Sequence, residues 1–345
     1  AIALSHNSKT IAMSLQGVLF TLPVNGGSAT PITDYYQDVR EPDWSPDDTH
    51  IVYYGYAKGN WALWQVSSKG GEPEMLTSDP FDDREPRYSP DGSKIAFSSD
   101  RAGNYDIWIL DLATKELSQI TTSPNNEYSP VWHTSGNSLA FATTLSRQES
   151  ELRTLSLSAN ESQLIIKEMG TINGIGWQGQ KDILSYQLAT TSSTTIKTIH
   201  EDGPSAQEIS QPEDDVFPFR TAWASDSTSF YAANGKIYKQ SSISERTEVP
   251  FTAEFRLNRP EYVRRVRNYD DASPRSALGI SQPAISTDGE QVTFSSLGDL
   301  WLWNLKDESL TKITDGTTVS RSPTWAPDGN TIAYVSDTND ANGKS

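Results

Sequence analysis

The chain repeats one short sentence. "EPDWSPDDTHIVYYG" begins at Glu41, "EPRYSPDGSKIAFSSD" at Glu85 and "SPTWAPDGNTIAYVSD" at Ser322. Aligned on the residue after the aromatic, eight copies anchor at Ser5, Ser45, Ser89, His133, Gln178, Ala224, Ser286 and Ala326. The intervals between successive anchors are 40, 44, 44, 45, 46, 62 and 40 residues. A unit of this size cannot bury its own apolar faces, so each copy must seal against the next, and a period of about 40–45 residues with several strands is that of a propeller blade.

Each unit reads as four short strands. In the third, "EPRYS" leads through "SPDG" to "KIAFSS", the loop "DRAGNY", "DIWILDL", the turn "ATKE" and "LSQIT". Runs of four to seven residues bounded by Gly, Pro, Asn and Asp, without helical periodicity, predict an antiparallel meander. The ten tryptophans agree. Trp44, Trp132, Trp177, Trp223 and Trp325 precede an anchor, and Trp61, Trp64, Trp108, Trp301 and Trp303 fall in the third strand. Large flat side chains at two fixed places per repeat suit sheets that stack face to face. The expectation is an all-β fold: a single β-propeller over residues 1–345, of four-stranded antiparallel blades, seven or eight in number. An insertion falls at about 250–282, and the last blade is incomplete.

The recurring "SPDG" satisfies a type I turn position by position, with Ser first, Pro second and Gly fourth. Copies of one turn in different blades lie around a ring and cannot converge on one ion. The motif also drifts to "HTSG" at His133 and "QGQK" at Gln178, which a turn tolerates. Its aspartates are therefore structural.

"WSPDG", "IAF" and "SDRAGNYDIW" together resemble the repeat of TolB-like β-propellers, over nearly the whole chain and most closely from Glu85 to Thr121. Related propellers serve the periplasmic Tol system, tricorn-type proteases and the gates of prolyl-oligopeptidase-like enzymes. Both ends, "LSHNSKTIAMSLQGVLFTLPVNGGSATPIT" and "QPAISTDGEQVTFSSLGDLWLWNLKDESLTKIT", resemble the propeller preceding a metal-dependent amidohydrolase domain in exported bacterial proteins. That hydrolase needs an "H-x-H" pair, and this chain has only His6, His50, His133 and His200. The eighth unit stops after two strands and would leave a bare edge, so the expectation is a polypeptide continuing past Ser345.

The resemblance implies a non-catalytic module that docks, gates or binds a protein or peptide partner, or a downstream hydrolase domain, in a periplasmic or otherwise exported setting. The alternatives are a stand-alone Tol-type binding protein, or a lactonase- or sialidase-like propeller enzyme using channel carboxylates and a metal. Against catalysis stand the absence of "GxSxG", of a His–carboxylate cluster with metal spacing and of cysteine. The net charge of −17 repels phosphate backbones and argues against nucleic acid. No apolar run approaches a bilayer span, and "AIALSHNSKT" does not read as a signal peptide.

Partners of propellers meet the channel mouth, where the innermost strands begin. Arg40, Arg84 and Arg321 recur at one repeat position there, and Glu41 and Glu85 at the next. They read either as inter-blade Arg–carboxylate pairs or as a charged funnel for a peptide terminus or a cation. TolB-like rings can carry a channel cation, and calcium would want several converging oxygens. The insertion carries Arg256, Arg259, Arg264, Arg265, Arg267 and Arg275 on an acidic protein. It reads as a solvated excursion, a strap over a neighbouring blade, or a docking strap for another domain or subunit. "DTNDANGKS" lacks the acid at the fifth position of a calcium loop and reads as a hairpin loop.

Overall fold

A computed structural model describes residues 1–34, 37–57, 59–178, 182–203, 205–225, 227–242, 244–255, 273 and 279–337. The described residues form strands and turns with no α-helix, and the strands group into eight sheets, one for each anchor. They fall into two compact units, residues 1–259 and 260–345.

The first unit holds six blades. Blade 1 is β1 (Ile2–Leu4), β2 (Thr10–Leu15), β3 (Val18–Pro23) and β4 (Gly27–Pro31). Blade 2 is β5 (Arg40–Trp44), β6 (His50–Ala57), β7 (Asn60–Ser67) and β8 (Glu74–Met75). Blade 3 follows with β9 (Asp83–Tyr88), β10 (Lys94–Ser99), β11 (Asp106–Asp111) and β12 (Leu117–Gln119). Blade 4 comprises β13 (Asn126–Trp132), β14 (Ser138–Ser146), β15 (Glu149–Ser156) and β16 (Glu161–Met169). In blade 5 are β17 (Thr171–Trp177), β18 (Ile183–Ala189), β19 (Thr194–His200) and β20 (Gln207–Glu208). Blade 6 contains β21 (Ala222–Trp223), β22 (Ser229–Ala233), β23 (Lys236–Ser242) and β24 (Glu245–Glu248). Within each blade the strands run antiparallel in sequence order.

The second strand of each blade shows why the sheets stack. Strands expose opposite faces at alternate residues, and here both faces are buried. In β10, Ile95 and Phe97 pack toward blade 2 beside Val52 and Leu63, while Ala96 faces Trp132 and Phe141 of blade 4. In β14, Leu139 and Phe141 face blade 3, and Ala140 and Ala142 meet Leu184 and Tyr186 of blade 5. Ala12 and Leu19 meet Trp44 and Tyr53 between blades 1 and 2. Ile196 meets Val216 and Tyr231 between blades 5 and 6. Large side chains on one face against alanines on the other make wedges that fit one hand of rotation.

The sixth interface closes the circle: Phe230 and Ile237 of blade 6 pack on Ile11 and Phe20 of blade 1, and β1 lies beside β21. The eight anchors are matched by eight sheets, and within this unit the innermost strands return to their start after six. Past blade 6, β25 (Phe251–Ala253) leaves the repeat and pairs parallel with β4 of blade 1, Phe251 opposite Gly27 and Ala253 opposite Ala29. Part of the insertion is thus a strap on a neighbouring blade. Phe255 follows it edge-on to Phe20, with ring centroids 5.3 Å apart.

The second unit holds β26 (Ser281–Ile285), β27 (Gln291–Ser296), β28 (Asp299–Asn304) and β29 (Leu310–Lys312) as one antiparallel blade. Beside it, β30 (Ser320–Trp325) pairs with β31 (Ile332–Ser336) in a two-stranded sheet among the described residues.

Candidate functional site

The turn after each innermost strand is held by its own side chains. Ser89 Oγ donates to Asp91 Oδ1 at 2.6 Å and accepts from Lys94 N at 2.9 Å. Ser45 with Asp47 and Ser286 with Asp288 repeat the 2.6 Å bond. Hydrogen bonds from Ser45 and Thr49 hold the Asp47 carboxyl down at about 2. The indoles before the anchors stitch blades together: Trp44 Nε1 donates to Ala3 O at 3.2 Å and Trp132 Nε1 to Arg87 O at 3.1 Å, each reaching back one blade.

Three residues before the aromatic in blades 2 to 5 the backbone turns left-handed. Glu41, Glu85 and Ser129 have φ of 37°, 56° and 54°, and Gly174 has 55°. The strand bulges at the same place in blades 2 to 5. A non-glycine residue there costs about 1–2 kcal/mol, and the bulge gives something back. The Ser129 N–H and Oγ–H donate to the Glu85 carboxylate at 2.6 and 3.0 Å, across the blade boundary. Ser98 Oγ adds a third bond at 2.8 Å. Only glycine fits the equivalent position in blade 5, where a Cβ on Gly174 would sit 2.6 Å from the Phe219 carbonyl carbon.

These bulges bring five charges together. Arg87, 2% exposed, donates to Glu41 Oε2 at 2.8 Å and to Pro86 O at 2.8 Å. Arg220 of blade 6 reaches Asp43 of blade 2, and blade 1 lies between those blades in the ring, so this bond spans the channel. Asp43 also accepts from Tyr88 N at 3.0 Å. Burial, then the nearby Glu41, pushes the Glu85 carboxyl up. Burial also opposes charge on Arg87, but Glu41 and Asp43 outweigh it and hold its pKa above the ordinary value. Arg220 is lowered by burial, with Arg87 adding to the effect.

At the end where the innermost strands begin, Arg84 lies between two rings, 5.8 Å from Trp61 and 5.4 Å from Tyr105. Arg40 stands 5.5 Å from the same Trp61. Tyr54 and Tyr56 meet Trp61 edge-on, each at 5.3 Å. Asp82 organises the group: it accepts from Trp61 N at 3.0 Å, Arg84 Nη2 at 2.7 Å and Tyr105 Oη at 3.3 Å. The Arg40 and Arg84 side chains stay 50% and 36% exposed, so cation and ring faces are both presented at the mouth. At the other end, among the Ser-Pro-Asp-Gly turns, the channel opens into a cavity of about 330 Å³ to which all six blades contribute.

Residues 4–226 match the TolB beta propeller domain family. The chain belongs to that family. Among solved structures, this TolB-family propeller is similar to the putative TolB from Agrobacterium tumefaciens, with 16% identity and a TM-score of 0.58, covering 66% of this chain and 86% of that one. TolB from Acinetobacter baumannii aligns with 17% identity and a TM-score of 0.55, over 60% of this chain and 53% of its own. A chain of the nidogen/laminin complex reaches a TM-score of 0.58 at 11% identity, over 69% and 91%. These likenesses are of fold. No curated protein matches the chain in sequence.

The TolB-family ring sorts the residues singled out from sequence. The ion pairs of Arg40 and Arg84 among the described residues are local, with Asp38 and Asp82, two residues back, at 3.3 and 2.7 Å. Arg321, in the second unit, pairs with Asp337 at 3.2 Å. Glu41 accepts from Arg87, and Glu85 from Ser98 and Ser129. Arg256, Arg259, Arg264, Arg265, Arg267 and Arg275 lie outside the described residues, as does nearly all of "DTNDANGKS". The inter-blade pairing uses Asp43, Arg87 and Arg220 instead. Asp43 and Arg87 share the position just before the aromatic, a signal visible in "EPDW" and "EPRY"; Arg220 hides in the degraded copy "FRTAW". Calcium does not suit this set, because guanidiniums and N–H groups take up the carboxylates. No group of three or more His, Asp or Glu placed for a metal occurs among the described residues.

Proposed function

We propose that the six-bladed unit is a non-catalytic binding module that docks an extended, acidic segment of a partner protein across the channel mouth. The observation behind this is the half-buried stack of Trp61, Arg84 and Tyr105 with exposed Arg40 beside it. Rings give broad contact at low entropic cost and guanidiniums select carboxylates, a combination that dominates protein interfaces. Asp82 fixes the stack in advance, so little ordering is left to binding. Among the described residues no helix is long and apolar enough to cross a membrane. With the family resemblance, we place the module outside the cytoplasm, in a longer protein whose hydrolase domain, or a separate partner, supplies the docked segment. In this reading the Arg-rich stretch from Arg256 to Arg275 supplies a second contact for an acidic segment.

Display of random peptides against the intact chain tests the proposal. Selected sequences should be rich in Asp and Glu beside apolar residues, and Arg84→Ala should weaken them about tenfold, the value of one stacked, charge-assisted contact. Turnover of ester, lactone or sialoside substrates that Glu41→Gln abolishes would overturn it in favour of a propeller enzyme.

A further inference from the structure

The cavity at the turn end of the channel has donors to spare. Three of its lining residues each keep a buried polar atom without a partner: Arg87 Nε, Trp177 Nε1 and Thr221 Oγ1. The residues are 2%, 8% and 1% exposed. An unsatisfied buried polar group costs about 1–3 kcal/mol, and three around one cavity need a reason. The repeat itself makes Trp177 anomalous, because the equivalent Trp44 and Trp132 donate to a carbonyl of the preceding blade.

All three atoms can donate. Apart from Tyr88, the ionisable side chains lining the cavity are Arg87, Arg220, Asp43 and His6. Asp43 is already engaged by Arg220 and Tyr88 N, and behind the lining Glu41 is held by Arg87 and Glu85 by Ser98 and Ser129. The walls are flat and apolar: Trp44, Tyr88, Trp132, Trp177 and Trp223. A volume of about 330 Å³ admits one small molecule or one terminal residue.

We infer that this cavity is a carboxylate site. It takes a singly charged carboxylate carried on a flat apolar body, the carboxylate toward Arg220, Arg87 and Thr221 and the body among the indoles. Arg87 and Arg220 already face Glu41 and Asp43, so a singly charged group held by the spare donors is the most the site tolerates; a dianion would crowd both carboxylates. The source is a small organic acid or the C-terminal residue of a peptide. The site lies at the opposite end of the channel from the Trp61–Arg84 stack and does not rest on the docking proposal.

The test follows intrinsic tryptophan fluorescence of the intact chain during titration with N-acetylphenylalanine and with its amide. A tetrapeptide ending in Phe, as free acid and as amide, makes the second arm. The acids should saturate the signal and bind at least about tenfold more tightly than the amides. Arg220→Lys and Thr221→Val should each erase most of that difference. Tighter binding of the tetrapeptide than of the single residue assigns the site to peptide termini, and the reverse assigns it to free acids. Equal affinity of acid and amide, or no saturation below about 10 mM, overturns the inference. Because acid and amide are compared on the unaltered protein, a variant that fails to fold does not blunt the result. Failure here leaves the mouth proposal standing.

Discussion

Glu85 carries strain, charge and a joint between blades at once. Its φ is 56°, its carboxylate bonds Ser129 and Ser98, and burial raises its pKa. The second unit has already made the neutral substitution. At the same repeat position stands Gln282, with φ of 53°, whose Oε1 accepts from Ser322 N at 2.7 Å and Ser322 Oγ at 3.1 Å. Glu85→Gln should therefore keep stability within about 1 kcal/mol, whereas Glu85→Ala, which strands a buried N–H, should cost about 1–3 kcal/mol. The pH dependence has a definite sign. A carboxyl whose folded pKa is raised favours the fold while protonated, and that contribution is lost as pH climbs from the ordinary value of 4.5 through the raised one. The Tm of Glu85→Gln relative to the unaltered chain should thus be highest near neutral pH and fall on acidification. A difference that grows on acidification would mean hydrogen bonds, not burial, govern this carboxyl.

Among elements, β25 is the one the repeat pattern does not contain. It lies after the last strand of blade 6 and meets β4 through Gly26, whose φ of 91° and closeness to Pro250 leave no room for a side chain: a Cβ would stand 2.2 Å from Pro250 O. Gly71 offers the control, with φ of 122° and nothing within 4 Å of a Cβ. Both alanine substitutions incur the backbone penalty of about 1 kcal/mol. Only Gly26→Ala should also loosen the strap, lowering Tm distinctly further and speeding hydrogen exchange at Phe251–Ala253. Equal Tm losses would show that the strap tolerates the shift. The contrast between elements also explains what could be read beforehand. Blade strands were legible because alternation in "KIAFSS" and the Ser-Pro-Asp-Gly turns are local signals. The strap was not, since three residues pairing with a strand some two hundred positions earlier leave no local mark. The mouth residues Arg40 and Arg84 were found by recurrence, but their partners Asp38 and Asp82, and the stack on Trp61, depend on loops from different strands meeting in space. Arg220 was missed because its repeat copy had lost the proline and acid that flag the position.

At the scale of the molecule, six interfaces close on themselves within residues 1–255, as the clusters from Ile11 with Phe230 round to Ile196 with Tyr231 require. A linear array frays from its ends; a closed circle has none. A chain ending at Phe255 should therefore unfold in one calorimetric transition at the Tm of the corresponding transition in the full chain. A multiphasic melt would mean the last two sheets support the first six. Closure through β25 has a temporal side as well. Synthesis delivers blade 1 first, yet its outer strand β4 gains its parallel neighbour only after Phe251 has emerged. For most of translation, Phe20 and Ile11 await Phe230, with contacts of very long range that form slowly. Until then the nascent polypeptide displays a sticky flank, and any holdase escorting it would be expected to grip the earliest-made blade and let go last there.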